Sequence, residues 1–252
     1  MIGSFAGKVA LVTGSSSGIG EAVIRRMASL GADVVVHYNS NRDGAEAVAA
    51  DIRAMGARAH VFGGDVADPA VAQGLIESTV AAFGRIDMLV NNAGEWYYGA
   101  LGEIALEDAE RQFRVSTLAV LDMIQRSLPH FPDSGGAIVN VVTNLALDPT
   151  PGTIIYAASR AAAMSMTAGF ARECGARNIA INAVAPGPTQ TKMALVRGTD
   201  ERRRYVAKRT PFGRYGHVDD IANVVVFLAS AEAHWVTGQT ILADGGYTQG
   251  YY

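Results

Sequence analysis

The chain has 252 residues, of which 49% are hydrophobic and 18% charged, and its formal net charge is -3. That length suits one α/β domain, the apolar content supports a large core and argues against disorder, and the weak negative charge offers no field to attract nucleic acid. Cys174 is the one cysteine, which excludes an internal disulfide and fits a reducing compartment. Neither CxxC nor HExxH spacing occurs, so no metal site is expected. The N-terminus lacks the pattern of a secretory leader and no apolar run approaches membrane-spanning length, which gives the expectation of a soluble cytoplasmic protein with no membrane partner.

In chain order, short β-branched runs alternate with longer segments of helical period. The pattern predicts strands at 8–13, 33–38, 58–63, 86–91, 136–142, 178–184 and 239–243. Ile19, Val23, Met27 and Leu30 recur at helical spacing and should face the sheet from the first intervening helix. No linker, repeat or low-complexity tract divides the chain. The fold class expected is α/β: one Rossmann-type domain over 1–252, a doubly wound sheet of seven mainly parallel strands with helices on both faces. Ligands of such sheets bind beyond the carboxyl ends of the strands, where strand order reverses.

The first strand leads into Thr13-Gly14-Ser15-Ser16-Ser17-Gly18-Ile19-Gly20. Glycines here let backbone approach a pyrophosphate, and the helix that follows aims its free N–H groups at it. The spacing is G-x-x-x-G-x-G, and a lone glycine pattern is a weak signal. Further along stand Asn91-Asn92-Ala93-Gly94 at the end of the fourth strand, Tyr156-Ala157-Ala158-Ser159-Arg160 early in the fifth covering helix, and Pro186-Gly187-Pro188-Thr189-Gln190-Thr191 after the sixth strand. Thr237-Gly238-Gln239 and Asp244-Gly245-Gly246 close the series. Arg202-Arg203-Arg204 reads as a solvated helix face, and the five histidines, at 37, 60, 130, 217 and 234, read as surface or packing residues.

Taken together, these motifs resemble the classical short-chain dehydrogenase/reductase family from about Gly7 to Gly246, nearest in flavour to the 3-oxoacyl-carrier-protein reductases. The resemblance implies a nicotinamide dinucleotide lying across the strand ends and hydride exchange with a small-molecule carbonyl or alcohol. Gly14, Ser15, Ser16, Ser17, Gly18 and Ile19 would cradle the phosphates. Asp65 and Val66 would border the adenine; Asn92, Ala93 and Gly94 the ribose and nicotinamide side; Pro186, Gly187 and Thr189 the carboxamide. It also implies a homotetramer and a substrate loop near 190–216. Trp96, Tyr97 and Tyr98 could wall a ring-shaped substrate or pack in a core or subunit contact, and Leu145 to Leu147 add apolar surface.

After the second strand, a carboxylate would bind the ribose hydroxyls of NAD and repel a 2′-phosphate. Tyr38-Asn39-Ser40-Asn41-Arg42 holds no acid; Asn39, Ser40 and Arg42 could bind a phosphate, which favours NADP(H) with NAD(H) as the alternative.

The family uses a Tyr, a Lys four residues later, a Ser thirteen residues earlier and an Asn on the preceding helix. Tyr156 matches, while Arg160, Thr143 and Ser116 occupy the other three places. A free phenol has a pKa of about 10, so it needs a nearby cation to act near neutrality. Arg160 keeps that charge as a planar fork, Thr143 keeps a hydroxyl, and Ser116 loses an amide. Two readings stay open: an oxidoreductase with Tyr156 as general acid or base, and an inactive dinucleotide-binding scaffold.

Overall fold

The structure, a computed structural model, describes residues 2–191 and 199–248. Seven strands lie in the order β3-β2-β1-β4-β5-β6-β7. They are β1 (Val9–Val12), β2 (Asp33–Tyr38), β3 (Ala59–Gly63), β4 (Met88–Asn91), β5 (Gly136–Val141), β6 (Ile179–Pro186) and β7 (Thr240–Ala243). All six pairings are parallel, with Leu11 opposite Val35 on one side and Leu89 on the other. These are the seven expected strands, shifted by at most two residues at most ends.

Parallel strands need covering on both faces, and the helices supply it. One face carries α1 (Gly18–Ser29), α2 (Arg42–Ala54) and α8 (Val218–Leu228). On the other are α3 (Pro69–Phe83), α5 (Ala119–Ser127) and α6 (Ile154–Gly175). Successive strand residues point to opposite faces, so Ala10, Val12, Val34 and Val36 join the first core while Leu11 and Val35 join the second. In α1, Val23 and Met27 are fully buried, and Ile19 and Leu30 pack on the same core.

The fourth connection departs from a single covering helix. It runs as α4 (Leu106–Phe113), a π-helical turn at Arg114–Leu118, then α5. The π-turn admits an extra residue into the helical ladder and re-aims the side chains beyond it. Helix α7 (Asp200–Arg209) belongs to the expected substrate loop, of which 192–198 lie outside the described residues. Arg202, Arg203 and Arg204 are exposed on α7, as a solvated helix face requires.

Strand order reverses between β1 and β4. The turns that leave these two strands are the glycine-rich one and Asn92-Ala93-Gly94, so they stand side by side.

Candidate active site

Thr13, which sequence reasoning passed over, ties those two turns together. Its hydroxyl oxygen accepts the N–H groups of both Asn92 and Ala93 at 3.0 Å. In return the Asn92 amide donates to the carbonyls of Thr13 at 2.9 Å and Gly14 at 3.1 Å. Gly20 is required by this arrangement, because a Cβ there would collide with the Asn92 amide and the Gly14 carbonyl. Helix α1 starts at Gly18, and its N-cap Ser17 makes no side-chain capping bond. First-turn N–H groups left in this way suit an anionic oxygen.

The turn is also braced from behind. His37 is buried, its Nδ1 accepting the Gly14 N–H at 3.0 Å and its Nε2–H donating to the Gly64 carbonyl at 2.9 Å. Burial pushes its pKa down to about 4, against weaker opposing effects of the Gly64 carbonyl and Asp65. This histidine is a packing residue, as expected, but one wired into both loops that flank the cleft. A histidine after four β-strand residues gave no sign of that in the sequence, since the partner atoms are backbone. Ser15 is fully buried, its hydroxyl donating to the Val12 carbonyl and accepting the His37 N–H, and is not a cleft residue.

A cleft of about 1040 Å³ runs along the strand ends. Gly14, Ser16, Ser17, Gly18 and Ile19 line it, as do Asn39, Ser40, Asp65, Val66, Asn92, Ala93 and Gly94. Thr143, Tyr156, Arg160, Pro186, Gly187 and Thr189 complete the residues expected there. Tyr38 and Arg42 are not among the lining residues: the Tyr38 ring lies against Gly63, and Arg42 is the first residue of α2. Asn41 does line the cleft, capping α2 by accepting the Gly44 N–H at 3.2 Å while donating to the Ser16 carbonyl at 3.2 Å. A second helix N-terminus is thereby fastened to the glycine turn.

Arg111 on α4 bridges two acids of the cleft, pairing with Asp65 at 2.6 Å and with Glu95. Partial burial pushes the Asp65 carboxyl up, but the bonds from Arg111 and the Ala67 N–H outweigh it and hold it below the usual range.

Tyr156 sits in the first turn of α6 under Trp96, ring centroids 4.7 Å apart and tilted by 49°. Arg160, one turn on, is 5% exposed; it donates from Nη1 to the Val141 carbonyl at 2.9 Å and from Nη2 to the Ala93 carbonyl at 3.3 Å. Its Nε is buried without a partner among the described residues. Burial pulls the guanidinium below its ordinary range, and the adjacent Tyr156 phenol opposes that pull. A Cβ on Gly94 would overlap the Arg160 fork, so glycine there and arginine here are matched. Thr143 Oγ1 accepts the Leu145 N–H at 3.3 Å, which turns a lone pair toward its own backbone and leaves the O–H to donate into the cleft. Ser116 stands fully buried in the π-turn, outside the lining, its Oγ accepting from Gln112 Nε2 at 3.0 Å. Gln112 donates as well to the Glu95 carbonyl at 3.0 Å, so an amide absent at 116 is present one turn earlier. Trp96, Tyr98 and Leu145 line the cleft; Tyr97, Ala146 and Leu147 do not. Among the described residues no cluster of three His, Cys, Asp or Glu side chains is placed to hold a metal ion, and no helix is long and apolar enough to cross a membrane.

Known proteins share this fold. The family model described as Enoyl-(Acyl carrier protein) reductase matches residues 14–248. An uncharacterized oxidoreductase of Methylorubrum extorquens is 42% identical over 246 residues, covering 95% of this chain and 97% of its own. A blue fluorescent protein from a metagenomic library, solved with NADPH, is similar with a TM-score of 0.91 at 40% identity, over 97% of this chain and 99% of the other. The angucycline C-6 ketoreductase LanV, solved with NADP, reaches a TM-score of 0.92 at 37% identity, over 98% of both chains. The chain belongs to the short-chain dehydrogenase/reductase family, and is an oxidoreductase of that family.

Proposed function

We propose that this protein is an NADP(H)-dependent reductase of small-molecule ketones, or a dehydrogenase of the corresponding alcohols, with Tyr156 as general acid or base. The observation that carries the reading is that Tyr156, Thr143 and Arg160 line the same cleft as the glycine turn. NADP(H), when bound, supplies or accepts the hydride. The uncapped start of α1 offers a helix N-terminus for its phosphates, and Asn39 and Ser40 present neutral donors where NAD-type sites carry an acid. That two similar proteins were solved with NADPH and NADP supports the same choice here.

In the reductive direction Thr143 donates to the carbonyl oxygen and polarises it, and Tyr156 passes its hydroxyl proton to that oxygen as negative charge develops. Arg160 holds a positive charge beside the phenol while its Nη1 and Nη2 pin β5 and the Asn92 loop together. Fixed by two carbonyls, the guanidinium serves as a stationary charge and not as a proton relay, and solvent entering the open cleft returns the proton to Tyr156. A scaffold without chemistry would not need a hydroxyl and a phenol lining the same cleft, so the catalytic reading is preferred.

Tyr156→Phe tests it. Turnover of NADPH with a carbonyl panel should fall by about 10² to 10⁴ while NADPH affinity stays within roughly three-fold. Unchanged turnover removes Tyr156 from the chemistry.

A further inference from the structure

The wall of the cleft beyond Tyr156 has a composition that the reductase reading alone does not demand. Trp96 lies over Tyr156, Tyr98 rests on Gly152, and Tyr205 and Tyr215 line the same cleft from α7 and the segment after it. Aromatic walls with polar tips suit flat rings, which stack on them while phenol hydroxyls meet ring substituents. The charge there is one-sided. Arg202 lines the cleft and has no carboxylate partner among the described residues, whereas the acids that line the cleft, Asp65 and Glu95, are both paired with Arg111. An exposed guanidinium lining the same cleft as these rings, with no carboxylate paired to it among the described residues, is complementary to an anion carried on a planar group.

We propose that the substrate is a flat aryl or ring-fused ketone bearing an acidic group, its ring against Trp96 and its anion toward Arg202. This rests on the reductase reading and names the substrate class for it. The reaction balances as a two-electron reduction: the hydride of NADPH adds to the carbonyl carbon, the C=O π pair takes the Tyr156 proton, and NADP⁺ and a secondary alcohol result.

The test measures kcat/KM of the full chain with NADPH for four probes. They are 4-acetylbenzoate, its neutral isostere 4-acetylbenzamide, the acyclic keto acid 4-oxopentanoate, and an acetoacetyl thioester. The acetylbenzoate should exceed each of the others by roughly ten-fold or more, a difference of one good contact. Arg202→Gln should lower kcat/KM for the benzoate about ten-fold and for the benzamide by less than two-fold, through KM. Trp96→Ala should remove the preference for aryl over acyclic substrate, and Trp96→Phe should restore it. A preference for the thioester or the acyclic acid overturns the inference and leaves the reductase reading standing, as does an equal effect of Arg202→Gln on benzoate and benzamide. No NADPH oxidation with these or a broad carbonyl panel overturns both.

Discussion

His37 shows how one side chain can set the geometry of a loop without touching a ligand's reactive end. Its two ring nitrogens have fixed roles, one accepting from Gly14 and one donating to Gly64, so only the neutral imidazole fits. The folded-state pKa, about 4, lies below the ordinary value of 6.5. Above pH 6.5 the ring is neutral folded or unfolded and costs nothing; between 6.5 and 4 the unfolded chain takes up the proton first, and stability is lost as pH falls. At pH 5 the loss should be about 2 kcal/mol. His37→Asn keeps an acceptor for Gly14 but does not titrate. Urea unfolding at pH 7 and pH 5 should therefore show an acid-induced loss in the natural protein larger by about 2 kcal/mol than in the variant. Equal losses would mean that His37 is not held neutral. Arg160 follows the same rule from the other side: its contacts are with backbone carbonyls, and Gly94 supplies the space it fills.

At the scale of elements, the strands were legible because each is a short apolar run flanked by turn residues, and β1, β4 and β6 are buried along their whole length. The glycine turn, the Asn92 loop and the start of α6 were legible because their chemistry depends on residue types at fixed spacing. Less accessible was the break in the fourth connection. Phe113-Arg114-Val115-Ser116 carries no glycine or proline, and the π-turn there depends on packing around Ser116 and Gln112, which local pattern does not encode. Thr13, His37, Asn41 and Arg111 were hidden for a related reason. Their partners are backbone atoms or side chains far away in sequence, such as Thr13 with Asn92 and Arg111 with Asp65. Tyr38 and Arg42 illustrate the converse: their place at the end of β2 and the start of α2 suggested a cleft role, yet neither lines the cleft, and the Tyr38 ring lies against Gly63.

For the whole molecule, the described surface carries two apolar areas away from the cleft. Leu101, Leu106 and Leu118 are exposed around α4 and the π-turn, and Phe227, Trp235 and Ile241 are exposed around α8 and β7. Tyr247, by contrast, is buried within its own chain beside Arg209, and Tyr251 and Tyr252 lie outside the described residues. Two separate apolar faces are what a tetramer with two kinds of two-fold interface requires. Light scattering at micromolar concentration should give four times the 26.4 kDa chain mass, and Trp235→Arg should reduce it to a dimer. A monomeric mass removes the tetramer. The proposed chemistry is hydride transfer along this cleft to a carbonyl carbon while Tyr156 moves the proton. NADPH deuterated at the transferable C4 position, incubated with the protein and an aryl ketone, tests it most directly. Deuterium should appear on the carbinol carbon of the product and fall to a trace with Tyr156→Phe; NADPH that binds but delivers no label to any carbonyl offered would refute the reductase reading.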